Sequence, residues 1–177
     1  LAPVKVNAVI IRGLNDHEIV RLARFGADEG IIMRFIEFMP LDSRQVWSQE
    51  HVVPGAEMVE QIKAELPLTP LPSNTPAETA TRWSLGQGAG EIGIIAPVTQ
   101  PFCGHCNRIR LTADGKIRTC LFSLHEHDLK PCLRDNSTSE KVLEEQLLRI
   151  VLAKEPGHRI SKPDFVQPKR SMSHIGG

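Results

Sequence analysis

The amino-terminal part of the chain alternates between β-rich runs and amphipathic helical patterns. The runs at 4–11 (VKVNAVII) and 30–40 (GIIMRFIEFMP) predict two strands. Residues 15–27 predict a helix that Asn15 caps, and residues 55–66 (GAEMVEQIKAEL) predict a second helix. A short helix between two strands gives a parallel pair, which needs more strands than the chain supplies. We therefore interpret this part as the end of a larger α/β barrel.

The remaining pattern divides the chain into three parts. Residues 67–80 carry four prolines among small polar residues and predict a linker between the barrel end at 1–66 and a second domain at 81–177. The second domain contains short strands, a cysteine-rich hairpin and a helix over about 137–154. Its tail, KRSMSHIGG, has too few apolar residues to fold alone and is predicted to be mobile. The fold class is thus α/β, with barrel strands followed by an α+β domain.

The stretch 101–120, PFCGHCNRIRLTADGKIRTC, predicts a β-hairpin, and two turns are compatible with it. A three-residue loop at 113–115, with Gly in the left-handed position, pairs Arg110 with Arg118. A two-residue Asp-Gly turn shifts the register and points Cys120 away from the arginines. We favour the three-residue loop because it gathers the apolar side chains on one core-facing side. These side chains are Ile109, Leu111, Ile117 and Leu121.

The opposite side of this hairpin is chemically unusual. Guanidinium groups that face each other across two strands repel unless an anion lies between them, so Arg108, Arg110 and Arg118 predict an anion site. An ordinary solvated strand face is the simpler alternative for these arginines. Three thiols share the same stretch and would leave one coordination position of a metal open. They belong to Cys103, Cys106 and Cys120.

Three kinds of site are compatible with the cysteines. The CGHC motif occurs in disulfide oxidoreductases, but there it stands where a strand meets a helix, whereas Cys106 leads into a β pattern. A structural zinc site would recruit a fourth ligand from Cys132, His125 or His127. An iron–sulfur cluster fits the C-x2-C spacing equally well. Spacing alone leaves zinc and iron–sulfur open.

Composition limits the functional classes further. The 177 residues contain 21 basic and 21 acidic side chains, so no global charge argues for nucleic acid or a membrane surface as partner. No run of about 18 apolar residues predicts a membrane span, and the first residues do not predict a signal peptide. Four cysteines, three of them close together, indicate a reduced cytoplasmic site rather than a secreted disulfide framework.

Three ordered motifs carry a family resemblance. PFCGHCNRIRLTADGKIRTCLF, with its C-x2-C-x13-C spacing, RFIEFMPL upstream and the terminal GG together resemble the C-terminal half of GTP 3′,8-cyclases. These are radical S-adenosylmethionine enzymes that open molybdenum cofactor biosynthesis. The resemblance extends over essentially the whole chain. It implies the end of an incomplete radical-SAM (βα) barrel, followed by an α+β cluster-binding domain.

The resemblance also implies roles for individual residues. Cys103, Cys106 and Cys120 would hold a 4Fe–4S cluster whose fourth iron is left for the guanine of GTP. The residues implied to bind GTP are Lys5, Arg108, Ile109 and Arg110. Met39 would line the S-adenosylmethionine pocket, and Gly176 and Gly177 would reach the catalytic centre. The family site does not require Cys132, for which we favour a packing role, and Arg34 and Glu37 remain open between a packing pair and site residues.

The implied activity belongs to a longer protein. In the family, S-adenosylmethionine is cleaved to a radical that abstracts hydrogen from C3′ of GTP, giving 3′,8-cyclo-7,8-dihydro-GTP. The C-x3-C-x2-C motif that holds the radical-generating 4Fe–4S cluster does not occur in this sequence, so we expect it in an N-terminal half. The resemblance implies cyclic pyranopterin monophosphate synthase as the next enzyme, and a homodimer is compatible with it. The alternative function is a non-catalytic, zinc-stabilised binding module.

Overall fold

The computed structural model describes residues 2–42, 46–86, 88 and 90–175. Contacts divide these residues into two compact units. The first, which we call the sheet unit, falls within Leu1–Met39 and Trp47–His105. The second, the hairpin unit, falls within Pro40–Val46 and Cys106–Gly177.

The sheet unit is built on a five-stranded sheet with the order β1-β2-β5-β4-β3. The strands are β1 (Lys5–Ile10), β2 (Ile32–Glu37), β3 (Leu68–Leu71), β4 (Thr81–Leu85) and β5 (Glu91–Ile95). The first three in this order are parallel, whereas β4 is antiparallel to both β5 and β3. Helices α1 (Ile19–Asp28) and α2 (Gly55–Lys63) pack on one face. The predicted strand–helix–strand unit and the predicted second helix are confirmed.

Alternation along the strands creates the core of this unit. On β2, Met33, Phe35 and Glu37 are buried and the residues between them are not, which places the apolar side chains against the helices. Helix α1 buries Ile19 and Ala23, one helical turn apart, on the same side. Asn15 is not the side-chain cap predicted from the sequence. Its Oδ1 accepts from the Ile11 N–H at 2.8 Å, and a short 3₁₀ turn precedes α1.

Residues 67–80 differ from the predicted linker because they contribute β3. Leu68 packs against the core and lies opposite Leu85 of β4. Pro70 is accommodated because β3 is an edge strand, where a missing N–H leaves no ladder bond unmade. Strands β4 and β5, which we expected in a second domain from residue 81 onward, belong to the same sheet as β1 and β2.

A buried carboxylate holds the carboxyl end of β2. Glu37 is fully buried, and its Oε1 accepts from the Gly55 N–H at 2.8 Å. Its Oε2 accepts from the N–H groups of Val98 at 2.7 Å and Thr99 at 2.9 Å. Gly55 allows this approach, since a Cβ there would lie 2.8 Å from the Ala96 side chain. Glu37 and Arg34 lie on opposite faces of β2, so the packing-pair interpretation is wrong.

Both tryptophans belong to the sheet unit. Trp47 donates from Nε1 to the carbonyl of Phe38 at 2.9 Å. Trp83 lies on β4 and packs against the core, with Lys63 Nζ 5.3 Å from its ring. Both indoles therefore report on the sheet unit.

The hairpin unit contains three short antiparallel strands in the order β6-β7-β8. They are β6 (Arg110–Leu111), β7 (Lys116–Arg118) and β8 (His127–Asp128). Helices α3 (Lys130–Arg134) and α4 (Glu140–Leu152) follow, and Ser139 caps α4 by accepting from the Val142 N–H. Ile117, Leu129 and Ile150 form a small core between β7 and α4. The predicted helix over about 137–154 is confirmed.

We expect Glu37→Gln to lower the free energy of unfolding by about 2–4 kcal/mol. The substitution keeps the volume but replaces charged acceptors by an amide, whose N–H groups would face backbone N–H donors. Urea unfolding followed by circular dichroism measures the change. The control is Glu57→Gln, which removes a half-exposed partner of Arg12 and should cost less than about 1 kcal/mol. Equal losses for the two variants would contradict this role of Glu37.

Candidate functional site

The hairpin has the register that the sequence predicts. Arg110 lies opposite Arg118, and the Thr112 N–H donates to the Lys116 carbonyl at 2.8 Å. Gly115 closes the three-residue loop with a φ of 77°, a left-handed conformation that glycine adopts without strain. The three-residue loop is therefore confirmed.

The apolar side of the hairpin is only partly as expected. Ile117 is buried, but Ile109 and Leu111 are 47% and 64% exposed. The reason is that the side chain of Ile150 on α4 packs on Ile117 and Leu129, next to β7 and β8, and leaves β6 uncovered. The prediction that Ile109 and Leu111 face a core is wrong.

Arg118 is part of the interior of the hairpin unit. It is 2% exposed, and its guanidinium donates to Glu126 Oε1 at 3.4 Å and to the carbonyl of Ser123. Burial lowers the pKa of Arg118, while the charge of Glu126 opposes that shift. The carboxylate therefore neutralises the charge of one of the two opposed arginines from within the protein, and the expectation that Arg118 joins an anion-binding face is wrong.

Arg108 and Arg110 are more accessible than Arg118. Arg108 is exposed and Arg110 is half-buried, and both follow Cys106 closely in the chain. Burial, together with the positive charges of Arg108 and Arg118, lowers the pKa of Arg110. A guanidinium remains protonated despite this shift. The repulsion between Arg110 and its two neighbouring arginines therefore persists and favours binding of an anion. Arg110 Nη1 also donates to the Ile175 carbonyl at 3.4 Å.

The four cysteines are all free thiols and half-buried. Cys103 begins a short 3₁₀ turn in the sheet unit, and the residues from Cys106 to Arg108 have no regular structure. The CGHC motif therefore does not stand at the start of an α-helix, which a disulfide oxidoreductase requires. Cys120 also lines a cavity of about 200 Å³ in the hairpin unit. Within the described ranges, no three Cys, His, Asp or Glu side chains are gathered closely enough to hold a metal ion.

Cys106 has the environment of a thiolate. Burial raises its pKa, but the backbone N–H and guanidinium of Arg108 both donate to the sulfur. These hydrogen bonds and the charges of Arg108 and Lys154 leave the pKa of Cys106 below its usual value. Thiolate is the form that binds metals and iron–sulfur clusters.

Cys132 is held differently, by a hydrogen bond from its thiol to Gln146 Oε1 at 2.6 Å. This bond joins α3 to α4 and agrees with a structural role, although the side chain is half-buried rather than packed in a core.

Lys154 is a functional candidate that the sequence did not reveal. It follows α4, and its Nζ donates to the carbonyl of Arg108 at 2.9 Å and to the carbonyl of Thr119. Arg108 precedes β6 and Thr119 follows β7, beyond the last paired residues of the two strands. The ammonium group therefore connects the chain segments that carry Cys106 and Cys120. No local pattern distinguishes this lysine from other basic residues at helix ends.

The other candidate residues lie elsewhere. Lys5 opens β1 on the sheet face turned away from the helices, the face that also carries Glu91. Hydrogen bonds from Arg82 lower the pKa of Glu91 against the effect of burial, and the charges of Lys5 and Arg34 contribute. Met39 follows β2 in the sheet unit. The candidate catalytic residues Gly176 and Gly177 lie outside the described residues.

These features define a mixed α/β protein whose hairpin combines free thiols with fixed cations. In the part of the chain that the structure describes, no helix has the length and apolar character needed to cross a membrane. The family model of Molybdenum Cofactor Synthesis C matches residues 31–160. The chain therefore belongs to the Molybdenum Cofactor Synthesis C family.

Curated relatives agree with the family match. The GTP 3′,8-cyclase of Acidothermus cellulolyticus is 45% identical over 151 residues, which are 84% of this chain and 42% of the relative. That of Streptomyces coelicolor is 41% identical over all of this chain and 52% of the relative. That of Rhodopirellula baltica is 40% identical over 98% of this chain and 49% of the relative. The chain spans about half the length of the curated relatives it matches. The resemblance to GTP 3′,8-cyclases is confirmed.

We expect Arg108→Ala to move the pH–rate profile for alkylation of Cys106 to higher pH. The folded pKa lies below the ordinary thiol value, so loss of the guanidinium raises it, and less thiolate is present at a given pH. Mass spectrometry after iodoacetamide pulses between pH of about 6 and 9 measures the rate in protein without bound metal. Lys154→Met should give a smaller shift, and Arg24→Ala, an exposed cation of the sheet unit that is paired with Glu65, should give none. Identical profiles for wild type and Arg108→Ala would disprove the assignment.

Proposed function

We propose that this chain is the GTP-binding and iron–sulfur-binding C-terminal part of a GTP 3′,8-cyclase. The complete enzyme uses S-adenosylmethionine to convert GTP to 3′,8-cyclo-7,8-dihydro-GTP in molybdenum cofactor biosynthesis. The observation that carries the proposal is the hairpin, where a thiol whose pKa is lowered and two accessible arginines occur within five residues, 106–110. The names of the curated relatives support it.

The thiols fit a 4Fe–4S cluster by their chemistry. Cys103, Cys106 and Cys120 are the proposed ligands, since all are free and Cys106 is biased toward thiolate. A cluster with three protein ligands supplies an iron with an open coordination position, suited to a nitrogen or oxygen of the guanine base. Lys154 would stabilise this ligand set by joining the carbonyls of Arg108 and Thr119.

The cations would hold the triphosphate. Arg108 and Arg110 carry planar guanidinium groups that bind phosphate oxygens in pairs, and Arg110 is already crowded by positive charge. We assign Lys5 to the same ligand as a point charge, Ile109 to contact with the nucleotide, and Met39 to the S-adenosylmethionine pocket. Gly176 and Gly177 are proposed to reach the reacting nucleotide, where a missing Cβ permits close approach.

The sheet unit would supply part of the (βα) barrel. Its three parallel strands with helices on one face are what such a barrel contains, and parallel strands normally have both faces covered. We propose a cytoplasmic enzyme, a homodimer, and cyclic pyranopterin monophosphate synthase as the consumer of the product. The radical-generating cluster would be bound by an N-terminal half.

We expect Cys103→Ser, Cys106→Ser and Cys120→Ser each to abolish cluster binding after anaerobic reconstitution, because a hydroxyl is a poor ligand for iron–sulfur clusters. Iron and sulfide analysis and absorbance near about 400 nm measure the cluster. The matched control is Cys132→Ser, which alters the thiol bonded to Gln146 and should retain the cluster. Colourless protein that carries zinc would support the binding-module alternative instead.

We expect Arg108→Ala and Arg110→Ala each to weaken GTP binding by about 1.5–3 kcal/mol, the scale of a charged hydrogen bond. The measurement is calorimetric titration of a full-length cyclase that carries this chain, with iron content determined in parallel. Guanosine, which lacks phosphates, should bind both variants nearly as it binds wild type. Arg24→Ala serves as the control, since that guanidinium is exposed and paired with Glu65 in the sheet unit. Equal losses for GTP and guanosine would mean that the arginines support the fold instead.

A further inference from the structure

The C-terminal segment is attached to the hairpin loop by an arginine. Arg170 forms two parallel hydrogen bonds with Asp114, from Nη1 to Oδ1 at 2.9 Å and from Nη2 to Oδ2 at 2.8 Å. Its Nε lies 3.1 Å from Glu126 Oε1. Asp114 belongs to the three-residue loop, 56 positions earlier in the chain. This contact corrects the expectation that the tail is mobile, as far as residues 170–175 are concerned.

The pair belongs to a wider network. Glu126 also accepts from Lys116 at 3.3 Å and from Arg118 at 3.4 Å, so two carboxylates serve three cations. An isolated surface pair contributes little, but two-pronged geometry within a network is the case in which such pairs matter. Hydrogen bonds from Arg170 and Thr112 lower the pKa of Asp114 well below its usual range, which keeps it charged in all ordinary buffers.

Beyond Arg170 the segment is fixed residue by residue. The Met172 N–H donates to the carbonyl of Leu41 at 3.2 Å, and residues Met172–His174 form a 3₁₀ turn. Ile175 is fully buried, and its carbonyl accepts from Arg110 Nη1 at 3.4 Å. The last described residue of the segment therefore contacts Arg110, to which we assign a role in binding GTP.

Apolar packing also contributes to this attachment. Pro168 and Ile175 are buried, and Phe165 and Met172 are half-buried. The contacts of Arg170 with Asp114 are the charged interaction that ties the segment to the hairpin loop.

We propose that Arg170 is a positioning residue, which holds the C-terminal segment on the hairpin loop through Asp114 and thereby sets the Ile175 carbonyl against Arg110. Arg170 does not touch substrate in this role. It acts through the Ile175 carbonyl on the orientation of Arg110. The proposal rests on the proposed function, because only there does Arg110 bind GTP.

The test uses a full-length cyclase that carries this chain, first without substrate. We expect Arg170→Ala to speed hydrogen exchange in peptides covering 171–175 by about tenfold or more, while the midpoint of thermal unfolding changes by less than about 3 °C. Arg170→Lys, which keeps the charge and loses the two-pronged geometry, should give an intermediate rate. Lys169→Ala, the exposed neighbouring cation, is the matched control and should exchange as wild type does.

A double-mutant cycle identifies the partner. In an Asp114→Ala background, Arg170→Ala should add less than about twofold to the exchange rate, because the interaction is already lost. Full additivity would overturn the assignment of Asp114, and unchanged exchange in Arg170→Ala would overturn the proposal.

Turnover measurements then distinguish a role of Arg170 in positioning Arg110 from a role in attaching the segment alone. We expect Arg170→Ala to lower kcat for GTP conversion by about tenfold or more, with KM changed less than about threefold and iron content unchanged. Wild-type kcat in a variant with fast exchange would overturn the positioning role. If wild type itself neither binds nor converts GTP, the proposed function fails, and the exchange measurements still decide whether Arg170 holds the segment.

Discussion

The hairpin unit is organised around the repulsion between Arg110 and Arg118, which lie opposite each other where β6 and β7 pair over only two residue pairs. Arg118 is neutralised from within by Glu126, and the same carboxylate collects Lys116 and Arg170. Arg110 is half-buried, and its Nη1 donates to the Ile175 carbonyl at 3.4 Å. Burial and the positive charges of Arg108 and Arg118 lower the pKa of Arg110, and this concentration of positive charge favours binding of an anion.

The sheet unit depends on the buried carboxylate of Glu37. Glu37 receives backbone N–H groups from the start of α2 and from the loop after β5, and so joins three segments at the carboxyl end of the parallel strands. That end is where α/β folds place their ligands, and Met39 lies two residues further on. The Thr99 hydroxyl donates to the same carboxylate, so its hydrogen bonds hold these segments together and give Glu37 a structural role.

Local patterns predicted the elements whose signals lie close together in sequence. Periodicity predicted β1, α1, β2 and α2, and the choice of turn predicted the pairing of Arg110 with Arg118. The failures concern contacts over long separations. Four prolines suggested a linker, but an edge strand tolerates Pro70 once β4 is available as its partner. The hydrogen bonds of Lys154 to two carbonyls and the pairing of Arg170 with Asp114 join residues 35 to 56 positions apart. Nothing in the flanking sequence specifies these contacts.

The positions of the aromatic residues have a practical consequence for spectroscopy. The chain has no tyrosine, and both of its tryptophans, Trp47 and Trp83, belong to the sheet unit. Intrinsic fluorescence excited in the near ultraviolet therefore originates from that unit, while the unit that carries Arg108, Arg110 and the tail contributes no indole emission. A melting curve recorded in this way reports the surroundings of the two indoles in the sheet unit, and a single new tryptophan in the hairpin unit would add a signal from the second unit.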